Sequence, residues 1–320
     1  MLELTFQQRI LCFIFFSSNL LATALGCYGL AEVLSQYGSA SVSLAFCFAG
    51  VTAVVGNLLA FAGGPFVGKG IRFVLLHGFL ALLAFICTRF PEANYVGPVA
   101  FLAIFGLSPI IHSANRLLAQ RLISPFEAER LFPLLRRFRI GGVVLGGVVI
   151  FQLADISQSL DQEIAFVWGG LETLLALVGF SLLRSKTSFQ LPNTKKPLSP
   201  FQAISESMKR YPTLRLLLAW TVGWGFCTTF IFATAAEAFA TESPNSVLST
   251  LALLGIFGPL LVIVCNHYLY ARVLEWSRLG SMQLNCSIAI TVIGILVGFY
   301  PLFAVAVLMW LLTRTVHEGF

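Results

Sequence analysis

Glu172 lies in "WGGLETLLALVGF", an apolar run with no other charge. A charged side chain at the centre of a membrane helix costs roughly 2.5–3.5 kcal/mol on insertion scales, so such a carboxyl must face the bundle interior, a partner or water, or carry a proton. That makes it a candidate for proton coupling or substrate contact, with a neutral, hydrogen-bonded structural acid as the alternative. A second constellation is "HSANR", in which His112 and Asn115 are three apart on one helical face and Arg116 is adjacent. It suits an inner gate or an anionic-substrate site, and equally an ordinary polar helix end. Asn19, Asn57, His77 and Gln152 are isolated polar groups in other apolar runs. Each can line a cavity or act as interhelical glue, worth about 0.6 kcal/mol. The sequence has no HExxH pair, Walker-type glycine loop or nucleophile beside a base in a polar segment, so no metal, cofactor or enzymatic activity is expected. None of the 7 cysteines forms a CxxC pair, and they read as helix-packing residues.

The elements that must position these groups follow from composition. The 320 residues are 58% hydrophobic and 11% charged, against about 25% charged in an ordinary soluble domain. Apolar runs of about 18 residues or more recur along the chain, each long enough to cross roughly 30 Å of hydrocarbon as a helix. Ten spans are expected, at about 10–31, 41–63, 71–89, 95–115, 138–155, 163–183, 212–235, 246–269, 281–299 and 301–314. The alternation of a membrane β-barrel is absent. With the N-terminus inside, every one of the 20 basic residues except Arg89 falls on the inner side, as basic residues in short loops do. Both termini are then cytoplasmic, and Glu32, Glu92, Asp155, Asp161, Glu163, Glu237 and Glu242 mostly mark the opposite surface. The net charge of +6 belongs to loops beside anionic lipid and implies no nucleic-acid partner.

Charge is concentrated in "FEAERLFPLLRRFRIGG", residues 126–142. Ser124, Pro125 and Glu127 have the spacing of a helix cap, so a short cytoplasmic helix is expected from Pro125, with Glu127 and Arg130 as an i,i+3 pair. Arg136, Arg137 and Arg139 then reach the headgroups as the fifth span begins. Gly142 and Gly146, one turn apart, allow another helix backbone to come close. The long polar segment after Arg184 divides the chain into a six-helix bundle over 1–184, a linker over 185–211 and about four helices over 212–320. In the linker, Ser199, Pro200 and Gln202 repeat the cap, and Phe201, Ile204 and Met208 share a face, as in a helix lying on the membrane surface or, equally, in an ordinary linker helix.

Two stretches carry a resemblance. "GGPFVGKGIRF" resembles the inner loop after the second helix of the major facilitator superfamily: Gly64, Lys69 and Arg72 fit, and the acidic position falls on Gly68. "SANRLLAQRLISPFEAERLFPLLRRFRIGGVVLGG" resembles the fourth-to-fifth helix region of bacterial and plastid ATP/ADP translocases, through Asn115, Glu127, Arg130, Phe132, Gly142 and Gly147. "YPTLRLLLAWTVGWGF" and "YLYARVLEWSRLG" resemble the start of that family's seventh helix and the end of its eighth. The resemblance implies an all-α, multi-pass, two-bundle carrier of 6 + 4 helices here, in place of the family's twelve, in a bacterial inner membrane. The family's phosphate-handling charges would fall near Leu30 and Ala31, and near Phe232, Ala235 and Ala236, where none is kept. Phosphates entering a low-dielectric pocket need cations, so faithful ATP/ADP exchange is not implied.

Two functions are expected to compete. One is a secondary active transporter for a nucleotide-like or other metabolite anion, with Glu172, His112, Asn115, Arg116, Asn19 and Asn57 as substrate or coupling candidates, and Glu127, Arg130, Lys69 and Arg72 at a cytoplasmic gate or anchor. The other is a transporter-derived interaction protein that no longer moves solute. Expected partners are lipid, a small solute and, for the incomplete second bundle, a further membrane subunit.

Overall fold

The structure is a computed structural model describing residues 4–62, 71–90, 95–153, 161–184 and 244–265, with residues 202, 206, 209 and 210. The described residues are helical almost throughout and contain no strand. Eight α-helices are named here: α1 (Phe6–Tyr37), α2 (Ser39–Ala62), α3 (Ile71–Cys87), α4 (Val96–Phe101), α5 (Leu107–Leu122), α6 (Pro125–Leu153), α7 (Asp161–Arg184) and α8 (Pro244–Cys265). Three described stretches are long and apolar enough to cross a membrane, Phe6–Tyr37, Ser39–Gly56 and Asp161–Arg184. A bent fourth span from Val96 to Leu122 can be added to them. The expected spans at 212–235, 281–299 and 301–314 lie outside the described residues, as do Lys69 and most of the linker helix.

Large apolar side chains stand on the outside of these helices: Leu44, Phe48, Val51 and Val54 on α2, Leu75, Phe79 and Leu82 on α3, and Phe166, Val167, Leu177 and Phe180 on α7. An aqueous surface would not hold so much exposed apolar area, whereas hydrocarbon costs it nothing. The composition and these faces together are compatible with a membrane protein.

The expected fourth span is broken. A π-helical turn at Leu102–Gly106 separates α4 from α5, and the two halves bend by 53°. Pro109, within α5, has no N–H to bond back to residue 105, and π-turns and prolines are the usual causes of such kinks. The short cytoplasmic helix expected at Pro125 and the fifth span are instead one helix, α6, running through Pro133. Pro133 and Glu129, whose carbonyl loses its partner, are both exposed, so the lost bond can be made outside the helix bundle.

α1 starts with a complete capping box: Thr5 accepts from Gln8 N–H at 3.3 Å, and Gln8 accepts from Thr5 N–H at 3.1 Å. Its end is set by Gly38, whose φ of 75° suits glycine, so that α2 begins one residue later.

Helix directions alternate. α1 runs alongside α6 in the same sense, since Gln8 meets Glu127 and Leu20 meets Gly146. α3 runs against α7, since Phe73 meets Gly179 and Phe85 meets Gly169. α1 runs against α5, α4 and α7, since Ser18 meets Asn115, Glu32 meets Gly97 and Tyr28 meets Asp161. These senses gather Arg9, Arg72, Arg121, Arg130 and Arg184 at one end of the bundle, called here the basic end.

One apolar core joins α1, α3, α5, α6 and α7 through Leu11, Ile14, Phe73, Leu80, Leu118, Leu135, Leu175 and Leu182. A second joins the other end of α1 to α8 through Leu30, Val33, Leu248 and Leu251.

Candidate functional site

Depth, burial and polarity coincide at the contact between α3 and α7. Glu172 is the twelfth residue of the 24 in α7, counted from Asp161, and so sits at the helix midpoint. His77 is six residues into α3, about 9 Å from its first residue at 1.5 Å per residue. The two side chains are 1% and 4% exposed and form an ion pair or hydrogen bond between His77 Nδ1 and Glu172 Oε2. Trp168, one turn before Glu172, donates its indole N–H to Oε1 at 3.4 Å. Phe73, one turn before His77, places its ring 4.3 Å from the imidazole. Phe73 itself occupies the space a side chain at Gly179 would fill, since a Cβ there would lie 2.4 Å from its ring. That notch sets the height of α3 on α7, and hence the meeting of His77 with Glu172. His77 Nε2 is buried with no hydrogen-bond partner among the described residues.

Closer to the α1 side, Asn115 is 1% exposed and donates to Ser18 Oγ at 3.0 Å, while its Oδ1 is left without a partner among the described residues. Asn19 turns its amide back to Phe15 O at 2.8 Å, a bond within its own helix. His112 is partly buried one turn from Asn115, and Arg116 is exposed. On the His112–Asn115 face, Asn115 thus bonds across to α1, and Arg116 points away from that face. Asn57 lies in α2, and its side chain is outside the described residues. Gln152, a candidate cavity group by sequence, is exposed on α6. Arg72 is partly buried, with Nε lacking a partner among the described residues.

At the basic end, Glu127 makes a different contact from the expected pair with Arg130. Its Oε2 accepts from Ser124 N–H at 3.3 Å and from the Ser124 hydroxyl at 2.8 Å, and its Oε1 accepts from Gln8 Nε2 at 3.1 Å. The carboxylate thus caps α6 and ties it to α1. No ion pair joins it to Arg130 among the described residues.

At the other end, Tyr28 donates its hydroxyl to Asp161, and Glu32 accepts from Gln36 at 2.9 Å. Glu32 is buried against Gly97, where the sequence reading put it at the surface. Removing the Tyr28 hydroxyl in Tyr28→Phe should destabilise by about 1.5–3 kcal/mol, the range for a hydrogen bond to a charged group. Thermal unfolding of the purified protein checks it, and an unchanged midpoint would show that the bond carries no stability.

Sequence reasoning singled out Glu172, and His77 as an isolated polar group, but did not pair them, and it missed the Tyr28–Asp161 and Gln8–Glu127 bonds. The Thr5-x-x-Gln8 cap was legible and overlooked; the tertiary pairs had no local signal. Among the described residues no group of three or more His, Cys, Asp or Glu could hold a metal ion. No family model matches the chain, and no curated protein matches it.

Proposed function

We propose that this chain is a secondary active transporter that alternates access around a polar site inside its helical bundle, in the manner of the major facilitator superfamily. The observation that carries this reading is the buried His77–Glu172 pair at the midpoint of α7. Ionisable groups held at that depth mark ion or substrate pathways far more often than they hold a fold together, because apolar residues would do the structural work at lower cost. The resemblance around Asn115, Glu127, Arg130 and Gly142 adds the substrate class, a nucleotide-like or other metabolite anion. Arg72 and Arg116, toward the basic end, are the cations such a solute would meet first. The membrane of this reading is a bacterial inner membrane with both termini cytoplasmic.

Uptake into proteoliposomes, with a panel of nucleotides and phosphorylated metabolites, tests it. Saturable flux for at least one solute is expected, and Glu172→Gln should change the dependence of that flux on pH. An absence of saturable flux across the panel removes the transport reading and leaves the interaction protein.

A further inference from the structure

With the carboxylate ionised and the imidazole neutral, the buried pair leaves one positive charge to be supplied. A neutral imidazole that donates its Nδ1 proton to Glu172 leaves the pair with a net charge of minus one, and Nε2 then carries a lone pair. The indole N–H of Trp168 eases that charge without cancelling it. Among the described residues, Glu172 has His77 and Trp168 as hydrogen-bond partners, and no ion pair other than the one with His77.

Other ionisable groups lie on the same helices and on those packed against them. Toward the basic end these are Arg72 on α3, Arg9 and Cys12 on α1, His112, Arg116 and Arg121 on α5, and Arg184 on α7. Toward the opposite end they are Cys87 on α3, Cys27, Tyr28, Glu32 and Tyr37 on α1, Tyr95 before α4, and Asp161 and Glu163 on α7. None of them bonds to either member of the pair among the described residues.

We propose that the His77–Glu172 pair, through the open Nε2 of His77, is the binding site for the monovalent cation, a proton or an alkali ion, that drives transport. This rests on the transport reading and names its coupling ion. When the ion is a proton, one N–H bond forms at Nε2 with a proton delivered by water, and no bond in the protein breaks. The product, imidazolium beside carboxylate, has no net charge. An alkali ion held at Nε2, on the side of the ring away from the carboxylate, reaches the same sum. Loaded, the site can be enclosed in hydrocarbon; empty, it carries an uncompensated charge and has to stay hydrated. Enclosure thus depends on occupancy, which is what coupling requires.

Binding to the folded state alone raises stability with ligand concentration, so the site can be read without any solute. The full chain in lipid nanodiscs is unfolded thermally in three series: pH from about 8 to about 6, bracketing the ordinary imidazole value; sodium chloride replacing choline chloride at constant ionic strength; and potassium replacing choline in the same way. A rise in midpoint of about 2 °C or more is expected in one of them. Response to pH identifies a proton; response to sodium or potassium identifies that ion. Glu172→Gln, neutral and of the same shape, should lose the response while remaining folded, and His77→Gln should lose it independently.

A wild-type protein that answers to none of the series overturns the proposal, and so does a Glu172→Gln protein that answers as the wild type does. A response without saturable flux of any solute removes the transport reading and keeps the cation site. Flux without a response removes the cation site alone.

Discussion

His77→Leu is expected to lower the stability of the protein by about 3–5 kcal/mol, the cost of breaking a buried charge pair by removing one partner. The reason is the environment left to Glu172. Its Oε2 loses the one hydrogen-bond partner it has among the described residues, and Trp168, at 3.4 Å, reaches only Oε1. Ordinary hydrogen bonds between membrane helices average about 0.6 kcal/mol and reach about 1.7 kcal/mol. A measured loss within that smaller range would mean that a neutral acid and a neutral imidazole share a simple hydrogen bond. The double replacement His77→Leu with Glu172→Leu separates the pair's structural use from its functional one. Apolar residues in place of a whole buried pair are neutral or stabilising by about 1–4 kcal/mol, so the double variant should recover most of the stability while flux remains lost. Reversible unfolding in lipid or detergent gives the three energies. If the losses from the two single replacements simply add in the double variant, the pair is not coupled and the reading of this contact fails.

The membrane class of the chain was legible in its composition, and helix starts were legible where capping residues stood at fixed spacing, as at Ser124 and Glu127. The bend of the fourth span was not, although Pro109 was in plain view. A proline inside a helix removes one bond, but whether the chain kinks, inserts a π-turn or carries on depends on its neighbours. Pro133 makes the point from the other side: α6 runs through it, because the carbonyl it leaves without a bond lies on an exposed stretch at the basic end.

For the site, Glu172 was conspicuous because a carboxyl in an apolar run is costly wherever it points. His77 was visible only as one isolated polar group among several, because a lone histidine in an apolar run has many harmless uses. Its pairing with a residue 95 positions away is set by the Phe73 ring in the notch at Gly179. That is a matter of shape between two helices, and neither helix records it alone. Glu127 shows how a local rule can be outbid. An i,i+3 ion pair with Arg130 is worth about 0.2–0.5 kcal/mol, less than satisfying an open N–H at the start of α6 and an amide of α1, so the carboxylate turns to Ser124 and Gln8.

Gly142→Ala is expected to destabilise the protein by about 2 kcal/mol or more, through the seam between α1 and α6. A Cβ at 142 would lie 2.1 Å from Phe16 O, 3.0 Å from Phe16 C and 3.1 Å from Leu20 N. All three are backbone atoms of α1, so no rotamer change relieves the clash and the helices must separate. Overpacking of this kind costs about 1–3 kcal/mol and at times more, and here it exceeds the gain of about 0.8–1.0 kcal/mol that alanine brings over glycine inside a helix. Gly146→Ala meets Leu20 O at 2.6 Å and should behave alike, with less than additive loss when combined, since one displacement of α1 relieves both. Gly141→Ala is the control: its Cβ would meet only the Phe16 ring, at 3.6 Å, an ordinary contact, so the helix gain should stand and the protein should be as stable as before or more so. Unfolding midpoints of the three single variants decide the matter. Should Gly142→Ala unfold with Gly141→Ala at or above the wild-type midpoint, α1 and α6 are not in close backbone contact. The height at which Ser18 faces Asn115 and Gln8 faces Glu127, both set by the placement of α1 in this seam, would then have to be drawn again.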